Sequence, residues 1–152
     1  MEEMGSFFDR LDDIVMDSHI IAPELVERAV GKCSSFGNPH KSSAAPLTPD
    51  CKGPEGCLFC DNFKVHADER DTRKLISCRY CLQQSAHLTA SEEHCLALFG
   101  PIFDRIAVIL SEVRRRQAGL VERIEHEVVN DGELDPYWAS KLEMLVNLEL
   151  TA

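Results

Sequence analysis

Four of the chain's seven cysteines fall between residues 33 and 60: Cys33, Cys51, Cys57 and Cys60. Thiolates are soft ligands, and four of them complete the tetrahedral shell that Zn2+ prefers, with no position left open for catalysis. Cys57-Leu58-Phe59-Cys60 has the two-residue gap that lets both sulfurs of one turn face one ion, and Cys33 and Cys51 supply the other two corners. Between them lie turn formers such as Ser34, Gly37, Asn38, Pro39, Pro46, Pro49 and Gly53. A segment so poor in apolar side chains cannot offset its ordering entropy by burial. A structural zinc ion on Cys33, Cys51, Cys57 and Cys60 is the expected source of its order.

Spacing leaves a second set open. Cys57, Cys60, Cys78 and Cys81 form two pairs separated by seventeen residues, as in zinc ribbons. Cys78 and Cys81, however, fall within a helical pattern, where positions three apart share a face and a free Cys serves as a small buried hydrophobe. His66 precedes the same helix and is either a partner to a thiolate or a helix-entry residue, the second being favoured. His19, His40, His87, His94 and His126 are scattered and read as ordinary polar residues. There is no Ser/His/Asp set, no phosphate-binding glycine loop and no base set beside a nucleophile in the sequence. A redox role for Cys57 and Cys60 lacks the strand-helix context it requires. The expectation is a non-enzymatic chain without a small-molecule substrate.

The elements that must position these thiols read as helices. Phe7, Phe8, Leu11, Ile14 and Val15 are spaced for an amphipathic helix over 3–17, and Pro23 opens a second one whose stripe is Leu25, Val26, Ala29 and Val30 before Gly31. Asp68 starts a helix to Ser85, with acids in its first turn and Arg73, Lys74 and Arg79 after them. Ser91 marks another start. Apolar residues then recur at 95, 99, 102, 106, 109 and 113 and again at 120, 124 and 128, a heptad spacing interrupted at Arg114-Arg115-Arg116-Gln117, so either one long helix or two consecutive ones meeting near residue 118 are expected, with a kink or restart at Gly100-Pro101. Asn130-Asp131-Gly132 is a turn, and Asp135-Pro136 caps a last helix to Leu148 that packs Trp138, Leu142, Leu145 and Val146. No stretch alternates long enough to predict a sheet. The expected fold is mostly α: an N-terminal helical arm over 1–32, a Cys-rich zinc-binding loop over 33–66 and a helical bundle region over 67–152.

The formal net charge is −10, and a tetrathiolate zinc centre would make it more negative by two. Such a balance repels nucleic acid at long range, so DNA contact by this chain alone is expected to be weak, confined to the near-neutral middle or to Arg114-Arg115-Arg116. A charge run on a helix is, more often, a solvated face. No stretch is apolar enough to span a membrane and Met1-Glu2-Glu3 is unlike a secretory signal, so a cytoplasmic location without membrane contact is expected.

Cys57-Leu58-Phe59-Cys60, the run Val65-His66-Ala67-Asp68-Glu69-Arg70-Asp71-Thr72-Arg73-Lys74-Leu75-Ile76-Ser77, Tyr80, and upstream Cys33 and Pro49-Asp50-Cys51 together resemble the C-terminal region of large phage-integrase-like tyrosine recombinases of bacterial mobile elements. Glu133-Leu134-Asp135-Pro136-Tyr137-Trp138 with Lys141-Leu142 is similar to the tail of the same proteins, so the resemblance spans residues 24 to 148. The resemblance implies that the cysteines up to and including the Cys-Leu-Phe-Cys element recur, while positions 78 and 81 are often other apolar residues, which favours the first ligand set. The family's arginine-histidine-arginine constellation and tyrosine nucleophile belong to a preceding catalytic domain that this chain is too short to hold, and Tyr80 and Tyr137 lack that setting. The implied role is a non-catalytic module for protein assembly or DNA positioning, with a parent recombinase or another protein as partner. A stand-alone adaptor or regulatory protein of a mobile element is the alternative.

Overall fold

The computed structural model describes residues 11–41, 48–88 and 92–151, with the side chains of Asp12, 86–98 and 148–151 not described. The chain is mostly helical, and α3 (Glu69–Leu88) is its hub: it packs against α4 (Glu92–Arg116), α5 (Leu120–Val129) and α6 (Pro136–Thr151). Asp68 caps α3, its Oδ1 accepting the Asp71 N–H at 2.9 Å, which satisfies one of the helix's free amides. Leu75, Ile76, Cys78, Cys81 and Leu82 of α3 are buried against Ile102, Ile106, Ile109, Leu110 and Val113 of α4 and Val121, Ile124 and Val128 of α5. In each helix these recur at intervals of three and four residues, with some adjacent pairs such as Leu75-Ile76 and Ile109-Leu110 widening the buried face.

Helix ends follow their local chemistry. Arg116 ends α4, and Gly119 at φ +84° allows a reversal that an L side chain would resist before α5 begins. Pro101 lies inside α4, which continues through it, so the expected restart does not occur there. Asp135 starts α6, with Oδ2 accepting the Tyr137 N–H at 3.1 Å and Pro136 at the first helical position. Trp138 is fully buried and its indole N–H donates to the Ala29 carbonyl at 2.8 Å. Leu142 and Leu145 are partly buried, whereas Val146, expected on the packed face, is 45% exposed.

The N-terminal third departs from expectation. Residues 3–10 of the anticipated helix over 3–17 lie outside the described residues; Leu11–Ile14 forms the one-turn α1, and Val15–Met16 then becomes strand β1. The anticipated second helix is a hairpin, β2 (Val26–Glu27) and β3 (Lys32–Cys33), so Cys33 sits on a strand rather than after a helix stop. With β4 (Phe63–His66) these form a sheet of order β1-β4-β3-β2, β1 parallel to β4 and the other pairs antiparallel. The registers are Val15 opposite Val65 and Cys33 opposite Phe63. Tertiary burial overrides the helical spacing: Val15, Val30 and Val65 are fully buried where the sheet meets the bundle.

Gly31 is the tightest point of the hairpin. A Cβ there would stand 2.8 Å from both the Lys64 carbonyl oxygen and the Phe63 ring, closer than packed atoms come. Gly31→Ala should therefore destabilise the protein by about 1–3 kcal/mol, the usual cost of overpacking, read as a lower urea midpoint with an unchanged slope.

Candidate metal centre

The hairpin, the loop and a tight turn bring Cys33, Cys51, Cys57 and Cys60 around one small cavity of about 10 Å³, walled also by Lys32, Pro49, Asn62 and Phe63. Its volume is of the order of a single water-sized sphere, and its lining is a set of soft donors. Cys33 comes from β3. Cys57 ends the one-turn helix α2 (Pro54–Cys57), and Cys60 follows through successive tight turns, Phe59 N–H to Gly56 O at 3.0 Å and Cys60 N–H to Cys57 O at 3.2 Å. Leu58 and Phe59 between the two thiols are buried in the core, and Arg105 Nε of α4 donates to the Leu58 carbonyl at 3.0 Å. The sequence between the cysteines thus anchors the turn from below and leaves its sulfurs facing the loop.

Cys51 is delivered differently. Asp50 Oδ1 accepts the N–H groups of Lys52 and Gly53 at 2.9 and 3.1 Å, a side-chain-closed turn that leaves Cys51 at φ +63°. This left-handed conformation is disfavoured for a residue with a Cβ and persists only where the surroundings impose it. Gly56 allows the approach of that loop, since a Cβ there would lie 3.1 Å from Pro49 Cα. Residues 42–47 of the loop lie outside the described residues.

Donors already point at the sulfurs. The His40 N–H lies 3.4 Å from Cys60 Sγ and Arg28 Nη2 lies 4.0 Å from Cys57 Sγ. Burial pushes the Cys57 thiol up, the Arg28 guanidinium pulls against it, and charge on Cys33 and Cys60 pushes with burial. The four thiols fit zinc by ligand type and by lining one cavity, but no three of their sulfurs lie within 4.8 Å of one another, so reaching the roughly 2.3 Å zinc–sulfur distance would require them to draw inward.

Cys78 and Cys81 stand apart from this cavity, in the hydrophobic core on α3. Burial raises the Cys78 thiol well above its ordinary value. Cys81 is raised by the same cause, with the Lys141 charge opposing. The ribbon-like alternative would need both side chains to leave the core. The side chain of Cys95 is outside the described residues.

A second grouping of ligand-type atoms, His66, Asp68 and Asp71, all within 4.8 Å of one another, was not anticipated from sequence. Its chemistry is that of an internal ion cluster. Asp71 is fully buried, and its Oδ2 accepts from Lys32 Nζ at 2.5 Å and the His66 N–H at 2.8 Å, while Lys74 Nζ stands 3.2 Å from Oδ1. Glu27 joins from the sheet edge, 2.6 Å from Lys74 and 3.6 Å from Lys32. A divalent cation here would meet two ammonium groups. Burial opposes ionisation of Asp71, but Lys32, the His66 N–H and Lys74 outweigh it and hold the carboxyl below the usual range. His66 Nε2 hydrogen-bonds the Ile20 carbonyl at 2.8 Å, so the ring serves the sheet-to-helix passage rather than the thiol cavity.

Between the loop and the starts of α3 and α6 runs an open groove of about 1020 Å³ with Arg28, Lys52, Arg70, Arg73 and Lys74 on its walls. Acids answer these cations: Glu27 binds Lys74, Glu127 binds Arg73 at 2.5 Å, and Asp68, Glu69 and Asp135 line the same groove. Arg114, Arg115 and Arg116 are engaged as well, with Glu122, Glu112, and Glu112 plus Asp17 respectively. No described helix is long and apolar enough to cross a membrane. Comparison with protein-family models, curated proteins and solved structures returns no match.

Proposed function

We propose that this chain is a non-catalytic, zinc-stabilised helical module of the kind found at the C-terminus of integrase-like recombinases, serving protein assembly or DNA positioning in DNA recombination. The convergence of Cys33, Cys51, Cys57 and Cys60 on one cavity carries this reading. Zinc, when bound, supplies a tetrahedral cross-link and no reaction, because four thiolates saturate it. That cross-link ties the hairpin through Cys33 to the loop through Cys51 and to the Leu58-Phe59 anchor in the bundle, so the metal orders a surface rather than an active site. The integrase relationship rests on the sequence resemblance around Cys57 to Ser77 and Glu133 to Leu142.

The engagement of all three arginines at 114–116 in internal ion pairs favours protein contact over DNA contact, and with it the adaptor alternative. Elemental analysis of the full chain purified without added zinc should find one zinc per chain; a metal-free, fully folded chain would end the zinc reading. Anisotropy of a labelled duplex at low salt separates the two roles. Retention that falls as salt rises places DNA positioning in this chain, and no retention leaves assembly through protein contacts.

A further inference from the structure

Arg28 lies at the bend of the β2–β3 hairpin, its N–H donating to the Gly31 carbonyl at 2.7 Å, so the turn that delivers Cys33 also fixes where this side chain starts. From there the half-buried guanidinium crosses to the loop. Its Nη2 donates to the Cys51 carbonyl at 3.1 Å and stands 4.0 Å from Cys57 Sγ, with the guanidinium carbon 4.6 Å above the Phe36 ring. One cation thereby touches the backbone of one candidate ligand and the sulfur of another, 23 and 29 residues away in sequence.

We infer that Arg28 is a positioning residue of the zinc centre, acting as counter-charge to its thiolates and as the clamp that holds Cys51 in its left-handed conformation. The inference rests on the zinc reading above. Four thiolates and Zn2+ carry a net −2, and a partly buried negative cluster needs donors and positive charge close by. His40 contributes a backbone N–H to Cys60, but that is a dipole and not a charge. Lys32 also borders the cavity, yet its ammonium is committed to Asp71 at 2.5 Å. Among the described residues, Arg28 has a cationic nitrogen beside one of these sulfurs, 4.0 Å from Cys57 Sγ. A guanidinium suits the task because its fixed fork can hold a carbonyl and approach a sulfur together, while its flat face stacks on Phe36.

The test is an equilibrium competition for zinc between the full chain and a chromogenic chelator, for the parent, Arg28→Met, Arg28→Lys and Arg70→Met, with cobalt substitution as the spectroscopic readout. Arg28→Met should bind zinc about 10–100-fold more weakly, as loss of an outer-shell partner does. At saturating cobalt it should still show the absorption of a four-thiolate tetrahedral site. Arg28→Lys should recover part of the loss, and Arg70→Met, which removes an exposed cation from the same groove, should stay within about threefold of the parent. An Arg28→Met affinity within twofold of the parent, or an equal loss in Arg70→Met, overturns the inference. Loss of the four-thiolate spectrum at saturation overturns it too, by making Arg28 scaffold and not counter-charge; full restoration by Lys removes the clamp on Cys51. A parent that takes up no zinc defeats the underlying reading itself, and the two failures are thereby told apart.

Discussion

Cys51→Ser should lose the metal and Cys78→Ser should keep it. Cys51 borders the thiol cavity, and a serine there offers a harder, poorly ionised ligand in place of one of four thiolates. Structural zinc contributes on the order of 10 kcal/mol in small metal-folded units, comparable with the whole net stability of a typical domain. The helical bundle has a core of its own around Leu75, Ile106, Leu110 and Ile124, so the loss should be regional. Hydrogen exchange should quicken across β2, β3 and the turn Cys57 to Cys60, while α4 and α5 stay protected. Cys78→Ser places a hydroxyl in an apolar site and should lower stability by about 1–3 kcal/mol with zinc retained. The reverse pattern, zinc kept in Cys51→Ser and lost in Cys78→Ser, would assign the metal to Cys57, Cys60, Cys78 and Cys81 and require α3 to open between Ser77 and Leu82.

Asp71→Asn should be the most damaging substitution outside the thiols, destabilising the protein by about 3–5 kcal/mol at neutral pH, because it leaves the buried ammoniums of Lys32 and Lys74 without their shared carboxylate. The pH dependence has a defined sign. The carboxyl of Asp71 is held below its unfolded value, so its contribution is present above the ordinary carboxylate range, about pH 4, and is lost as pH falls through the lowered folded value. The gap between parent and Asp71→Asn in urea unfolding should be full at pH 6–7 and should close progressively below about pH 4. A gap under about 1 kcal/mol at pH 7, or one that stays constant into acid, would mean that Glu27 alone suffices for both lysines.

The cluster also explains why the sheet matters to the site. Lys32 precedes Cys33 on β3, and its ammonium on Asp71 pins that strand to the first turn of α3, while Asn62, on the other side of Cys60, donates to the Asn38 carbonyl at 2.8 Å and closes the loop. Two of the thiols thus have neighbouring contacts that do not involve a metal, a buried ion pair beside Cys33 and an exposed hydrogen bond beside Cys60. Cys51 is placed by the loop turn at Asp50 and Cys57 by the short helix α2 and its buried neighbours Leu58 and Phe59, with Arg28 reaching both, at the Cys51 carbonyl and the Cys57 sulfur.

Local chemistry alone determined much of the helical region from Glu69 to Thr151. Asp68 before an apolar run, Asn130-Asp131-Gly132 and Asp135-Pro136 are signals whose effect acts within one helical turn, and they mark the starts of α3 and α6 and the turn between α5 and α6, whereas the sequence allows one long helix or two across the α4–α5 break at Gly119. The grouping of Cys33, Cys51, Cys57 and Cys60 was suggested for a similar reason: in a segment rich in turn formers and poor in apolar residues, composition calls for an ordering group. The sheet was not. Strands of two residues, such as Val15–Met16 and Lys32–Cys33, are too short to show alternation, and the stripe Leu25, Val26, Ala29 and Val30 fits a helix until Trp138, 109 residues away, takes the Ala29 carbonyl. Arg28, Asp71, Lys32 and Lys74 carry no signal in sequence because charged residues are common everywhere and only burial selects among them. What makes these four particular is that the fold removes them from water beside an opposite charge or a sulfur, and desolvation, a property of the assembled structure, decides which charges must pair.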